Sequence, residues 1–240
     1  MKRIVKAAEP ASLRDWRLGN RSTPENLRYG NIPSDVLAAV RTALLREQGF
    51  LCGYTMLRLK DESKGHIEHV QAQSLAREAE VDYANLIYCH PGGKAPHCPF
   101  GAHAKGDADS AKSQFVSPLD THCESRFVYR RTGEISPRDP NDAAATQTIE
   151  RILNLNHFDL LSQRKAAIDS LAIFRRSARQ LTSAEATKMA EATQRTDSQG
   201  RYQPFAPVLR QFLLKYASQR AARDKALQGR DLSALKPKSH

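Results

Sequence analysis

The sequence predicts an α+β chain in which helix dominates, and three observations carry that prediction. A short β-type run at His66 to Val70 stands between polar turns. The stretch from Asp82 to Asp109 is crowded with glycine, proline and histidine and leads into a short helix near His103. Beyond Ser136-Pro137-Arg138-Asp139-Pro140 the composition turns to helix formers. A boundary is therefore expected near residue 140, with an arm, a helix and a small mixed module in 1–140 and a helical region in 141–240.

Met1 to about Pro33 is polar and interrupted by Pro10, Pro24 and Pro33. This predicts an extended arm with one short turn of helix around Ser12 to Arg17, and Trp16 as its anchor. Ser34 or Asp35 can cap the next helix, which runs to about Gln48 with Val36, Val40, Ala43 and Leu44 on one face and Gly49 as its stop. Phe50 to about Leu59 reads as a strand and turn. After the polar turn Lys60 to Gly65, a second strand at His66 to Val70 completes a hairpin-like unit. In the second half, helices are predicted at residues 143–153, 159–179, 183–193 and 207–227. Thr182-Ser183-Ala184-Glu185 has the form of a capping box. Leu209, Phe212, Leu213 and Tyr216 make an apolar stripe that is core first and interface second. The short basic tail after Arg230 is read as disordered.

Charge narrows the partners. Lys and Arg number 37 against 26 Asp and Glu, a formal charge of +11 with a pI of about 9.7. Such a surface attracts polyanions and releases counterions on binding them, so nucleic acid is the leading partner class. An acidic protein partner suits the same charge. No segment approaches the ~20 apolar residues of a membrane span, and Met1-Lys2-Arg3-Ile4 leads into charged sequence with no signal-peptide core. A cytoplasmic protein is expected, with no membrane partner and with Cys52, Cys89, Cys98 and Cys123 reduced.

Three polar clusters fall within 42 residues: His66-Ile67-Glu68-His69, Asn85-Leu86-Ile87 and His103-Ala104-Lys105-Gly106-Asp107. Phosphodiester hydrolysis needs a base for water and a divalent cation to offset charge at phosphorus. A neutral histidine can be that base near pH 7, and hard cations take carboxylate, imidazole and water. Adjacent Glu68 and His69 point oppositely in a pleated strand but can flank one site at a bulge or strand end. His66 either joins the site as a phosphate or second-layer donor or merely stacks in the hairpin. Lys105 either holds a substrate phosphate or is a surface lysine. His90, His97 and His122 are read as solvated, and Asn156 and His157 as closing a helix end.

These clusters resemble the HNH, or ββα-metal, endonuclease family, in which an acidic residue precedes a histidine, an Asn precedes aliphatics, and a ligand sits on the closing helix. The resemblance implies a ββα-metal core, His69 as general base, Glu68 and His103 as ligands of one Mg²⁺ or Mn²⁺, and Asn85 as the residue orienting the base-bearing loop. Met1-Lys2-Arg3-Ile4-Val5-Lys6, Leu45-Arg46-Glu47-Gln48-Gly49 before Cys52-Gly53-Tyr54, Asp82-Tyr83-Ala84-Asn85-Leu86, and Leu153-Asn154-Leu155-Asn156-His157 extend the likeness over most of the chain. Together they resemble the PtuB-type HNH proteins of Septu and retron anti-phage systems. That implies a toxic effector nuclease acting on DNA or RNA, a PtuA-type ATPase partner and, in retron loci, a reverse transcriptase with its multicopy DNA.

The sequence departs from that pattern at the zinc site many such proteins carry in two Cys-x-x-Cys pairs. Thr55 and Gly101 stand where the second cysteine of each pair belongs, and neither side chain replaces a thiolate. No structural zinc is expected; the rival is a site rewired through Cys52 and Cys98 with His90, His97 or Cys89. A second functional class also fits, a non-catalytic nucleic-acid-binding or scaffolding subunit whose HNH residues are vestigial.

Overall fold

A computed structural model of the chain describes residues 1–92, 96–106, 114–175 and 179–234. Among the described residues the architecture is α+β and mostly helical, with two small antiparallel sheets of two strands each. The N-terminal arm is extended and tied down, with Ile4 N–H donating to Pro118 O at 2.8 Å and Met1 and Ile4 buried. Helix α1 (Ala11–Gly19) follows Pro10 and packs on α2 (Ser34–Glu47), with Leu13 buried and Trp16 half-buried against the core. Neither Ser34 nor Asp35 caps α2. Pro33 occupies the cap position without a side-chain bond, and its fixed φ suits entry into the first turn. Val36, Val40 and Leu44 face inward at helical spacing, each worth roughly 1.5–3 kcal/mol of apolar burial.

The expected strand at Phe50 to Leu59 is replaced by a tight loop closed by one bridge, Leu51 to Arg58. Phe50 and Met56 have left-handed backbones (φ 61° and 62°), so the chain turns back before a second pairing can form. Strand β1 (His66–His69) therefore pairs elsewhere, antiparallel with β2 (Leu86–Cys89), His66 opposite Cys89 and His69 opposite Leu86. The glycine-, proline- and histidine-rich composition of Asp82 to Asp109 predicts loop here instead of β2. All four of its residues are buried, so it shows no alternation to betray it. The short helix α3 (Ala102–Lys105) follows Gly101, which has φ +71°.

Strands β3 (Phe127–Tyr129) and β4 (Ile135–Pro137) form the second hairpin, ending in the segment read as a break. Helix α4 (Ala143–Gln147) starts at an Asp142 cap and runs into a π-helical turn at Thr148–Ile152. There, Thr148 accepts from Val116 N–H at 2.8 Å and donates to Ala144 O at 2.7 Å. Helix α5 (Phe158–Asp169) stops ten residues short of its expected end, because Leu171 turns out of the helix into a cluster with Ala190, Leu209 and Leu213. Helix α6 (Ser183–Ala192) carries both halves of the capping box between Thr182 and Glu185. Helix α7 (Ala206–Ala234) extends past Arg230, so the start of the supposed tail is helical, while residues 235–240 lie outside the described residues.

The stripe on α7 closes this helical layer. Leu209 and Leu213 are buried, Phe212 meets Phe174 edge to face at 5.7 Å, and the Tyr216 hydroxyl donates to Leu181 O. The larger core runs without interruption from Met1 to Val208, taking in Leu44, Ile87, Phe127, Ile149 and Leu160. Among the described residues no helix is long and apolar enough to cross a membrane.

Candidate active site

Strand periodicity divides His66-Ile67-Glu68-His69 between two faces. His66 and Glu68 are half-exposed, whereas Ile67 and His69 are buried. The β1–β2 ladder continues through Val70 N–H, which donates to Asn85 O at 2.9 Å, so His69 and Asn85 lie at the same end of the sheet.

On the buried face, His69 Nε2 lies 2.8 Å from Glu80 O. A carbonyl can only accept, so the proton sits on Nε2 and Nδ1 keeps its lone pair. The Tyr29 ring meets the imidazole edge to face at 4.9 Å. Burial, and after it the Lys105 ammonium, hold His69 below the ordinary imidazole value against the opposing pull of Glu80 O and the Glu68 and Glu80 carboxylates. The ring is therefore neutral at pH 7.

Asn85 clamps the loop that leaves β1. Its Oδ1 accepts from Gln71 N–H at 2.8 Å, and its Nδ2 donates to Gln71 O at 3.0 Å and Ala79 O at 3.2 Å. The side chain is buried, and these bonds fix both ends of the segment 71–79, whose continuation presents Glu80 O to His69.

On the other face, His66 Nδ1 donates to Pro91 O at 2.6 Å, and Nε2 lies 3.8 Å from Glu68 Oε2. Burial works against a charged His66, but the Glu68 carboxylate and Pro91 O outweigh it and raise its pKa, so a charged ring must shed the Nε2 proton before it offers a lone pair. The His103 ring lies 5.5 Å from that of His66 and 5.6 Å from that of His97. Burial and the adjoining His66 and His97 rings lower the His103 pKa. His103 Nδ1 accepts from Cys98 N–H at 3.1 Å, so in the neutral ring Nε2 is a donor and the ring must turn before it offers a lone pair. His97 is exposed, as expected, and its ring also borders this cluster.

Lys105 corrects the expectation of a surface side chain. It is buried, and its ammonium donates to Glu68 Oε1 at 2.9 Å and His69 O at 3.0 Å, tying α3 to β1. The Tyr54 hydroxyl also reaches Glu68 Oε1, at 3.4 Å. Glu68 thus has one oxygen held by the chain and one facing His66. Among the described residues no three His, Cys, Asp or Glu side chains form a ready-made metal cage. The donor chemistry nevertheless suits a hard cation: a carboxylate oxygen beside an imidazole nitrogen, with a second imidazole next to it.

The two loops that would carry thiolate pairs do converge. A Cβ built on Gly101 would lie 3.0 Å from Thr55 Cγ2, so the Thr55 methyl fills the approach. Cys52 Sγ still accepts from His90 N–H at 3.2 Å, and all four cysteines are buried free thiols. Of the two residues expected to close a helix end, His157 does so by capping α5, accepting from Asp159 N–H, whereas Asn156 instead bonds both backbone groups of Ile135 on β4.

Comparison with protein-family models finds no match, and no curated protein matches the chain.

Proposed function

We propose that the chain is an HNH-type endonuclease that hydrolyses phosphodiester bonds with the help of one divalent cation, Mg²⁺ or Mn²⁺. The observation that carries this reading is the sequence β1, β2, α3, which gathers His66, Glu68 and His103 on one side of a strand and ends that strand on a neutral, carbonyl-anchored His69. It supports a ββα-metal core with the expected parts in the expected order. Glu68 and His66, joined by His103 once its ring turns, would hold the cation, which when bound offsets negative charge at phosphorus and on the leaving oxygen.

The chain's own residues do the rest. His69 Nδ1 takes a proton from water as the water oxygen bonds to phosphorus, and the P–O3′ bond breaks with its electron pair on the leaving oxygen. Glu80 O holds the ring in the tautomer that leaves Nδ1 basic, and Asn85 holds the loop that carries Glu80. On this reading the two faces of β1 must reach one phosphate where the strand ends at His69.

On the same reading the protein is the effector of a defence system of the PtuA–PtuB kind, cytoplasmic and paired with a PtuA-type ATPase, with a retron reverse transcriptase and its multicopy DNA as further partners. One observation favours a second reading, a binding or scaffolding subunit: Lys105 already occupies one oxygen of Glu68, which lowers that carboxylate's pull on a cation. Incubating the purified chain, with and without an ATPase partner, with plasmid DNA, single-stranded DNA and total RNA in Mg²⁺ or Mn²⁺ separates the two. The first reading requires metal-dependent cleavage of at least one substrate. The second requires none under any combination.

A further inference from the structure

Between the segment after α5 and the exposed face of α7 lies a groove of about 420 Å³, made of none of the residues of the His66–His103 cluster. Its lining includes Arg175, Arg179, Arg220 and Arg223, with Ile173 and the Tyr216 ring as apolar wall. Two of the arginines are held in place. Arg179 pairs with Glu185, the residue that also closes the capping box of α6. Arg220 bonds Asp224 at 3.0 Å and, through Nη1, Gln180 Oε1 at 2.8 Å. Arg175 and Arg223 are exposed, and among the described residues neither has an acidic partner within ion-pair distance. Among the described residues, four guanidiniums against two carboxylates leave a surplus of two positive charges in one concave place.

We propose that this groove binds the phosphate backbone of a single-stranded nucleic acid. Guanidinium is the group that matches phosphate oxygens two at a time, and forks already immobilised lose less entropy on forming those bonds. Arg220 and Arg223 stand one turn apart on α7 while Arg175 and Arg179 stand on the facing wall, a spread that meets several phosphates in series better than one. The apolar wall of Ile173 and Tyr216 offers a surface for sugars and bases between the phosphates, the combination single strands use. The site does not depend on the nuclease reading, since it asks only for binding.

The test is fluorescence anisotropy of a labelled single-stranded oligonucleotide titrated with the full chain in EDTA, where no metal-dependent cleavage occurs. The Arg175→Ala/Arg223→Ala variant should keep its melting temperature, because neither side chain is buried or paired. It should bind about tenfold more weakly, and the slope of log affinity against log salt should fall by about 1.4, two contacts at ~0.7 each. Arg175→Lys/Arg223→Lys should restore the salt slope but only part of the affinity. Inorganic pyrophosphate should compete only at concentrations far above those of the unlabelled oligonucleotide; equal competition would reduce the site to a small-anion pocket and overturn the backbone proposal. Poly-glutamate competing as well as the oligonucleotide would make the groove a dock for an acidic protein and would also overturn it. So would unchanged affinity and slope in the alanine variant. Cleavage plays no part in the readout, so a failed nuclease assay leaves this result standing, and the reverse holds.

Discussion

Replacing Asn85 by alanine removes three hydrogen bonds at once, and its cost follows from the structure. Oδ1 loses Gln71 N–H, and Nδ2 loses Gln71 O and Ala79 O. At a net ~1 kcal/mol per neutral bond the total is about 3 kcal/mol, concentrated at one end of the β1–β2 sheet. The loss is local first: segment 71–79 no longer has its ends held, and Glu80 O drifts from His69 Nε2. Urea denaturation should show the unfolding free energy falling by that amount, through a lower midpoint at unchanged slope, and hydrogen exchange should speed at the Gln71 amide before the core of α2 is affected. Asn85→Asp is the sharper variant, since it keeps the acceptor for Gln71 N–H but sets a carboxylate against two carbonyls. It should be at least as damaging. A stability loss below about 0.5 kcal/mol in the alanine variant, with Gln71 exchange unaltered, would refute the clamp.

Lys105→Met keeps the aliphatic stem but strips Glu68 of its buried partner. It should cost about 3 kcal/mol by thermal or urea unfolding and raise Mn²⁺ affinity in isothermal titration, whereas unchanged metal affinity would mean that the ammonium does not compete for Glu68. Gly133 has φ +88°, and a Cβ there would sit 2.2 Å from Leu161 O, so Gly133→Ala should destabilise by about 3 kcal/mol or more, or fail to accumulate as soluble protein. Asp142 caps α4 and is gripped by Arg126, whose hydrogen bond holds the carboxyl below its ordinary value. A depressed carboxylate pKa stabilises the fold above the unfolded value near 4 and loses that contribution as pH falls through the folded value. The stability gap between wild type and Asp142→Ala should therefore be about 1–2 kcal/mol and flat from neutral pH to ~5, then close as the medium is acidified further. A gap that widened in acid would reverse the assignment.

How far the sequence speaks depends on the kind of order each residue enforces. The helices were legible because Val36, Val40 and Leu44 recur at 3.6-residue spacing and because Thr182 and Glu185 write their cap into four consecutive letters. Strand β2 was not, since Leu86-Ile87-Tyr88-Cys89 is buried on both faces and too short to show a period. The loop at residues 50–59 misled because two left-handed residues, Phe50 and Met56, give no compositional warning. At the site, chain neighbours could be read but spatial neighbours could not. The composition of 103–106 says nothing of Lys105 turning inward to Glu68, nor does the loop around His97 announce its contact with His103. The roles of His66 and His103 rest on which ring nitrogen meets a carbonyl or an amide, a distinction made entirely by Pro91 O and Cys98 N–H.

The central claim is that a neutral His69, oriented by Glu80 O, acts as base in metal-dependent phosphodiester cleavage. The measurement that meets it most directly is the cleavage rate of His69→Ala against wild type, with Mg²⁺ or Mn²⁺ and the best substrate among plasmid DNA, single-stranded DNA and RNA, alongside circular-dichroism melts of both. Loss of a general base predicts a rate reduced by about 10²–10⁴-fold with the helical melt retained. Cleavage by the folded variant at the wild-type rate would contradict the account.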